Sequence, residues 1–419
     1  MLGAVAGAAA ATSVPLALGV VVVAIALYVL GRSGVWSETV VALYWFTFCL
    51  FATVFASVSI AGFYFPFYAV FFVVMFVALT RRGLPLDARY VVVTALFAYM
   101  ALASALGVPG VSASEVLQRA FTYAFGLIVA LQIRSLRGLG PIAFAMVSAG
   151  TAISLWVANE AIRSGFAYRA ALDVNQNVVA LLIGLGLVPA ICFIVDGIGH
   201  RQYNARSIAL VVPIAIMVYA LTLLASRGMV IALAVALVAV VFRALLRDRR
   251  ALLAPALFIV IAGAATLLPG GEGMAERFTG HNIETGNERF PIWVAVIDAY
   301  TAGNVREIIV GHGFDSSITV VQQRYGSLTS THNAYLKILF EYGLIGLGLF
   351  MYLHALLIIH AWRVPGALGL IMLGLVSYLL TVNLAMTPTD NFIYWTALGL
   401  AMGIGVLGRP VPQPNASSG

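Results

Sequence analysis

The feature that most constrains the fold is a series of continuous apolar runs, each of the length that crosses a lipid bilayer. An α-helix needs about 20 residues to span the hydrocarbon core. Because the runs are continuous and not alternating, they predict transmembrane helices and not the strands of a membrane β-barrel. Thirteen such runs cover residues 14–31, 37–60, 62–80, 89–107, 118–133, 141–158, 176–197, 207–224, 228–245, 251–268, 334–361, 366–386 and 391–408.

These runs predict an all-α, polytopic integral membrane protein with 12–13 transmembrane helices. Charged residues make up 9% of the 419 residues, against about 25% in a soluble domain. The first run, 14–31, is either a span or a signal-like or re-entrant segment, and the second reading leaves twelve spans. Cys49 and Cys192 both lie in apolar runs, which favours small core residues over a disulfide framework or a metal site.

The orientation follows from arginines in the short loops, since basic residues mark the cytoplasmic side. With the spans above, five loops that carry arginine all fall on one side. Their arginines are Arg81, Arg82, Arg89, Arg134, Arg137, Arg201, Arg206, Arg243, Arg247, Arg249, Arg250 and Arg363. We therefore expect this side to be cytoplasmic, together with the polar tail 409–419.

One long hydrophilic segment, residues 269–333, lies on the opposite, outer side. It divides the chain into a first set of helices with short loops (1–268), this cap segment, and a last set of helices (334–408). We expect a helix within the cap after Pro291, because Pro suits the first turn and apolar residues follow at helical spacing.

Several arginines lie on the outer side, against the positive-inside rule, and the candidates among them are Arg163, Arg169, Arg227 and Arg289. For a single arginine, the simplest interpretation is that its guanidinium group extends to the lipid headgroups. Several on one face favour a different reading, because guanidinium groups bind phosphate oxygens bidentately and keep their charge. Such a cluster fits a polyprenyl pyrophosphate. Asn177 begins the span that follows Arg163 and Arg169.

His332 stands where the cap segment re-enters the membrane. A helix N-terminus lowers the pKa of a histidine, and a neutral imidazole acts as a general base. Asn333 either orients His332 or caps the helix. Glu341 lies about 13 Å further along a straight helix and faces another side, which favours a supporting role. Asp390, at the outer end of the last span, is a second candidate for orienting His332 or an arginine.

Several motifs of other enzyme classes do not occur in the chain. There is no Asp-x-Asp pair, no Walker A loop and no Gly-x-Ser-x-Gly, and no GxGxxG opens a helix after a strand. We therefore expect no metal, no cofactor, no nucleotide and no nucleic acid among the ligands.

The run His332-Asn333-x-Tyr335-Leu336-x-x-Leu339-x-Glu341-x-Gly343-Leu344-x-Gly346 resembles the hallmark of the O-antigen ligase / O-antigen polymerase family. Three further motifs fit the same family over residues 160–350: Ser226-Arg227-Gly228, Arg289-x-x-x-Trp293 followed by Gly311-x-Gly313, and Asn177-x-x-Ala180. The family usually has about twelve spans.

The resemblance implies a multi-pass glycosyltransferase of the bacterial inner membrane with its site on the periplasmic side. It would transfer a glycan from undecaprenyl pyrophosphate to a sugar hydroxyl of lipid A–core, without a metal and with inversion, as lipopolysaccharide biosynthesis requires. His332 would be the general base. Arg227 and Arg289 would bind the donor pyrophosphate, assisted by Arg163 or Arg169.

Other functions remain open at this point. A polymerase and a protein O-oligosaccharyltransferase of the same family share these motifs, and the moderate cap segment slightly favours the ligase. A lipid-linked glycan transporter or flippase would also combine outer arginines with many spans. That class needs polar groups along an interior path, and the spans from 14 to 158 are almost free of ionisable residues.

Overall fold

The computed structural model describes ten stretches of the chain, and all regular structure within them is helical. The predicted spans 14–31, 37–60 and 62–80, most of 118–133, Arg169 and the tail after residue 408 lie outside the described residues. The described residues are 88–106, 126–127, 129–130, 133, 139–166, 175–199, 209–271, 289–326, 330–390 and 392–407.

Twelve α-helices of the described part are labelled here in chain order. They are α1 (Ala88–Leu106), α2 (Leu139–Arg163), α3 (Gln176–Gly199), α4 (Val211–Leu224), α5 (Arg227–Leu245), α6 (Leu253–Thr266), α7 (Arg289–Thr301), α8 (Val305–Val310), α9 (Ser316–Tyr325), α10 (Ala334–Arg363), α11 (Gly366–Ala385) and α12 (Phe392–Leu407). Two 3₁₀ turns, Arg249–Leu252 and Pro388–Asp390, precede α6 and α12.

Six segments of the described part are long and apolar enough to cross a membrane. They are α2, α3, α5, α6 with its preceding 3₁₀ turn, α10 and α11. Helices α1, α4 and α12 are shorter apolar helices. The sequence-based bounds agree with these helices to within a few residues.

Helices α3 and α11 form the centre of the bundle and are buried along most of their length. Small residues allow close helix approach, as is usual between membrane helices. At the crossing of α2 and α3, for example, a Cβ on Gly186 would lie 2.7 Å from the carbonyl oxygen of Met146. Helix α6 lies at the periphery and is mostly exposed.

The bundle has two different ends. At one end, α3 and α5 begin together, since Ser226 Oγ donates to Asn177 Oδ1 at 3.0 Å. The C-terminus of α11 reaches the same end, because a Cβ on Gly228 would contact Ala385. At the other end, the Arg243 guanidinium donates to the carbonyl of Val364, just after α10. We call these the His332 end and the Arg243 end.

Helix α10 is broken at Gly343, and this corrects the sequence-based expectation of one straight span. Gly343 has φ 62° and ψ −166°, a conformation that is essentially confined to glycine. On a straight helix, Tyr335 and Phe350 would be about 22 Å apart. Their ring centroids are 6.1 Å apart, so the residues before Gly343 turn sharply away from the axis of those after it.

The break leaves carbonyl groups without their helical donors, and the cap segment supplies replacements. The backbone N–H of His312 donates to Phe340 O at 3.0 Å, and that of Gly313 donates to Glu341 O at 2.9 Å. The ring of His312 also stacks on Phe340, with 4.2 Å between centroids. The sequence suggested only a turn at His312, whereas the structure makes this turn the attachment of the cap to α10.

A buried ionic cluster fixes the same attachment. Lys337, the one lysine of the chain, lies 3.0 Å from Asp315 and 3.8 Å from Glu341. Glu341 also accepts a hydrogen bond from Ser317 Oγ at 2.6 Å. The supporting role predicted for Glu341 fits these contacts. Because the helix is broken at Gly343, the carboxylate of Glu341 packs against the polar cap segment.

Candidate active site

His332 lies in a short loop directly before α10. The helix begins at Ala334, and Asn333 is its N-cap, since Asn333 Oδ1 accepts a hydrogen bond from Leu336 N at 3.1 Å. Capping is one of the two roles that the sequence left open for Asn333. The cap fixes where α10 starts and therefore where His332 lies.

The loop backbone is held in an uncommon conformation by its neighbours. His332 has φ 49°, in the left-handed region that non-glycine residues seldom adopt. Trp293 Nε1 donates to Thr331 O at 2.9 Å. Ser330 Oγ and Thr387 Oγ1 share a hydrogen bond of 2.7 Å. These two contacts hold the loop to α7 on one side and to the segment after α11 on the other.

Arg289, the first residue of α7, is brought next to His332. Its Nη1 donates to Ala385 O, the last carbonyl of α11, at 2.8 Å. Trp293 is four residues further on and therefore lies on the same face of α7. One helix face thus positions both the guanidinium and the loop that carries the imidazole.

The pKa of His332 is lowered from its ordinary value of 6.5, first because the ring is part-buried and second because of the positive charge of Arg289. Both effects disfavour the imidazolium. The imidazole is therefore neutral near pH 7, the state in which it accepts a proton. The sequence predicted this direction from the helix N-terminus alone.

Arg227 and Asn177 reach the same end of the bundle through different contacts. Arg227 is the first residue of α5, and Ser226 before it is hydrogen-bonded to Asn177. Gly228 packs against Ala385, the residue whose carbonyl accepts from Arg289. The end of α11 therefore has α5 on one side and α7 on another, and it brings Arg227, Arg289 and His332 into one neighbourhood.

Other predicted residues are not drawn into this neighbourhood by any described contact. Arg163 ends α2 with its side chain 71% exposed, and it forms an ion pair of 3.5 Å with Glu160. Asp390 ends the 3₁₀ turn after Thr387. Glu341 contacts the cap segment instead. The roles of Arg163, Arg169 and Asp390 stay predictions.

The sequence reasoning missed Ser330, Thr387 and the donor role of Trp293. Trp293 stands in the Arg289-x-x-x-Trp293 motif, but the motif alone does not indicate its hydrogen-bond partner. Its spacing of four from Arg289 was the available signal. Ser330 and Thr387 are 57 residues apart, and nothing local in the sequence pairs them.

Comparison with known families agrees with this arrangement. Residues 212–351 match the family model of the O-antigen ligase. Over these residues the chain is similar to the O-antigen ligase family. The matched region is about a third of the chain and includes Arg227, Arg289 and His332, but it ends before Ala385. No curated relative matches the chain.

The match to the O-antigen ligase family supports membrane glycosyl transfer of the ligase or polymerase type, with lipid-linked glycan substrates. The apolar helices agree with a multi-pass membrane protein. A part-buried neutral base next to a guanidinium, at the end of a membrane bundle, is chemically suited to this reaction class.

Proposed function

We propose that the protein transfers an O-antigen glycan from undecaprenyl pyrophosphate to a sugar hydroxyl of lipid A–core. The observation that carries this proposal is the pairing of His332 with Arg289. His332 favours proton uptake and Arg289 favours binding of an anion. Both residues belong to the region that matches the O-antigen ligase family.

The reaction is a single displacement. His332 removes the proton from the acceptor hydroxyl while the oxygen attacks the anomeric carbon of the donor glycan. The bond from that carbon to the pyrophosphate oxygen breaks, and the pyrophosphate leaves with the electron pair. Direct attack from the opposite face inverts the anomeric centre.

Arg289 and Arg227 bind the pyrophosphate and stabilise the negative charge that develops as it leaves. Pyrophosphate is already a good leaving group, so fixed guanidinium groups replace both a metal ion and a general acid. Arginine is suited to this task because its planar fork of donors matches phosphate oxygens. Arg289 is already oriented by Ala385 O, which reduces the cost of ordering it when the donor binds.

The site faces the periplasm in this proposal, and the membrane is the bacterial inner membrane. The support is the distribution of arginines along the bundle. Arg243, Arg247, Arg249 and Arg250 follow one another near the end of α5 that is remote from His332. By the positive-inside rule, that end is cytoplasmic.

The decisive experiment is reconstitution of the purified full chain with an undecaprenyl-pyrophosphate glycan. Two acceptors are offered separately, lipid A–core and a second lipid-linked glycan, with chelator present and no nucleotide added. We expect glycan transfer to lipid A–core, and a loss of about 10²–10⁴-fold in the His332→Ala variant, the usual contribution of a general base.

The matched control is His360→Gln, since His360 is a part-buried histidine near the opposite end of α10. We expect this variant to keep the wild-type rate. Transfer to the second lipid-linked glycan alone would identify a polymerase. Full activity of the His332→Ala variant would remove the general-base role.

A further inference from the structure

An apolar groove runs along the surface of the bundle between α4, α5 and α6. Its volume is about 790 Å³, within the range of sites that bind small molecules. Leu245 on α5 and Pro255 on α6 line the groove at the Arg243 end. The turn that joins these two helices, residues 246–252, therefore crosses this end of the groove.

The wall of the groove has no polar requirement that a ligand must meet. The two threonines that line it are satisfied within their own helices: Thr222 Oγ1 donates to Tyr219 O at 2.7 Å, and Thr266 Oγ1 donates to Gly263 O at 2.8 Å. The other lining residues are apolar. A hydrocarbon chain matches such a wall without loss of hydrogen bonds.

The groove is open to the lipid phase, and its Arg243 end lies at the level of the headgroups. Val238 and Ile259 line the groove and are each 68% exposed. Phe242 lines it at the Arg243 end and packs edge-on against the exposed Trp362, with 6.3 Å between ring centroids. Tryptophan is enriched where membrane helices meet the headgroups. A lipid in the groove therefore has its polar head just beyond Phe242.

The turn across this end of the groove carries three arginines. Arg247, Arg249 and Arg250 are all exposed, and no described residue forms an ion pair or a hydrogen bond with their guanidinium groups. Asp248 is the one acid of the turn, and its carboxylate accepts a hydrogen bond from the backbone N–H of Arg250 at 2.9 Å. The turn therefore presents a surplus of positive charge where the head of a bound lipid would lie.

Helix α6 packs loosely against the rest of the bundle. Its buried residues are Ala254 and Ala265, which lie near its two ends. Between them, Ile259, Ala262 and Gly263 line the groove. A ligand in the groove thus adds contacts between α6 and its neighbours, and a ligand that binds the folded state stabilises it.

The groove is long enough to hold a complete acyl chain. Leu245 and Val230 both line it, and α5 rises about 22 Å between them. One leaflet contributes about half of the ~30 Å hydrocarbon core. An acyl chain whose head lies at the turn 246–252 therefore ends within the groove.

We propose that the Arg243 end of the groove is a binding site for an anionic phospholipid, with an acyl chain between α5 and α6 and the phosphate at Arg247, Arg249 and Arg250. Guanidinium groups bind phosphate oxygens bidentately, and basic clusters beside membrane helices attract anionic headgroups. The ammonium group of a zwitterionic lipid offsets that attraction. The ligand is a lipid of the surrounding membrane and not a substrate, so this inference does not rest on the proposed function.

The first test measures lipid binding by native mass spectrometry of the purified full chain. Phosphatidylglycerol and phosphatidylcholine with identical acyl chains are titrated separately. We expect the first phosphatidylglycerol to bind at least tenfold more tightly than the first phosphatidylcholine. Arg249→Gln/Arg250→Gln should lose most of this preference, since each arginine near an anionic headgroup contributes roughly fivefold in affinity.

The matched control for the charge is Arg306→Gln/Arg324→Gln, which removes two exposed arginines of the cap segment. This variant should keep the preference of the wild type. Equal binding of the two lipids by the wild type, or an equal loss of preference in the two variants, would overturn the proposal.

The second test locates the acyl chain. Phosphatidylglycerol with a photoreactive group on its acyl chain is added to the purified protein, and the cross-linked peptides are identified by mass spectrometry. Gly263→Trp adds a side chain to the groove about 12 Å along α6 from Pro255, at a position where a Cβ meets nothing within 4 Å. Gly348→Trp adds the same side chain to an exposed position of α10 outside the groove. We expect labels on α5 and α6 in wild type and Gly348→Trp, and at least tenfold fewer in Gly263→Trp. Equal labelling of the two variants would reject the groove as the site.

The third test connects the lipid to stability and separates it from a soluble anion. Phosphatidylglycerol added to the protein in phosphatidylcholine bilayers should raise the melting temperature of the wild type by at least about 2 °C. Arg306→Gln/Arg324→Gln should show the same rise, and Arg249→Gln/Arg250→Gln should show none. An equal rise with inorganic phosphate alone would identify a site for soluble anions and would overturn the assignment to a lipid.

Discussion

Two arginines at opposite ends of the bundle make the same kind of contact in different surroundings. Arg289 donates to the carbonyl of Ala385 at the end of α11, and Arg243 donates to the carbonyl of Val364 at the end of α10. Each therefore caps a helix C-terminus, where cations are favourable. Arg243 is only 2% exposed, and the ring of Trp362 lies 5.7 Å from its guanidinium carbon.

The surroundings decide what each guanidinium is able to do. Arg243 is enclosed by its own protein, so its contribution is to structure. Arg289 is part-exposed and close enough to lower the pKa of His332. The two arginines therefore differ in exposure and in the presence of a titratable neighbour, and not in the kind of backbone contact that they make.

The largest effect is expected from replacing each of the two arginines by lysine. Arg289→Lys should lower the glycan-transfer rate by about 10²-fold, on the order of removing one stabilising donor, because a point charge does not reproduce the bidentate fork. Its melting temperature should change little. Arg243→Lys should lower the melting temperature and leave the rate per folded molecule near wild type. The reverse pattern would break the comparison between the two ends.

The second-largest effect is expected at the attachment of the cap segment to α10. In Gly343→Ala, the added Cβ would meet the carbonyl of Ile309 and the backbone N–H of Gly311, at a φ of 62°. We expect a loss of about 2–3 kcal/mol in the free energy of unfolding from strain of this kind, measured by thermal or denaturant unfolding in detergent. Gly348→Ala, five residues on in open space, is the control and should not destabilise the protein. Equal stability of the two variants would contradict the role of the break.

The pH dependence sharpens the link between Arg289 and His332. In the proposed mechanism the unprotonated imidazole is the active form, so kcat/KM should fall as the pH drops through the pKa of His332, with a midpoint below the ordinary 6.5. Arg289→Gln removes a positive charge, which raises that pKa and moves the midpoint to higher pH. Arg243→Gln should leave the midpoint in place. A downward shift in Arg289→Gln would contradict the assignment.

The smallest effect is expected from the indole of Trp293, which holds the loop that carries His332. Trp293→Phe removes the donor to Thr331 O and should cost about 1 kcal/mol, as for an ordinary hydrogen bond. This corresponds to a loss of roughly fivefold in kcat, with KM for the donor nearly unchanged. Trp362→Phe at the Arg243 end is the matched control and should not change kcat. An equal loss of kcat in both variants would show a general effect of indole removal.

The positions of the membrane helices were largely predictable from the sequence, because the hydropathy of a segment depends only on its own residues. The predicted span 176–197 corresponds to Gln176–Gly199, and 228–245 corresponds to Arg227–Leu245. The kink at Gly343 was not predictable in this way. The apolar run continues through it, and its cause is the docking of residues 309–313, which lie about 30 residues upstream.

The candidate site was predictable only in part. The motif around His332 and the outer arginines pointed to Arg227 and Arg289, because a histidine and arginines at one membrane face are unusual. Their arrangement around Ala385 depends on the C-terminus of an apolar helix with no distinctive residue. The contacts of Ser330 with Thr387, and of Trp293 with Thr331, likewise join segments that are distant in the chain.

The sequence by itself determined that this chain forms membrane helices, which polar segment lies between them, and which residue types are available for chemistry. Those properties follow from transfer of side chains between water and lipid, which each residue experiences almost independently. The tertiary structure decided that Asn333 is a cap, that Glu341 supports the cap segment, and that Arg289 but not Arg243 adjoins a base. These outcomes depend on distances between helices, and only the packed bundle fixes such distances.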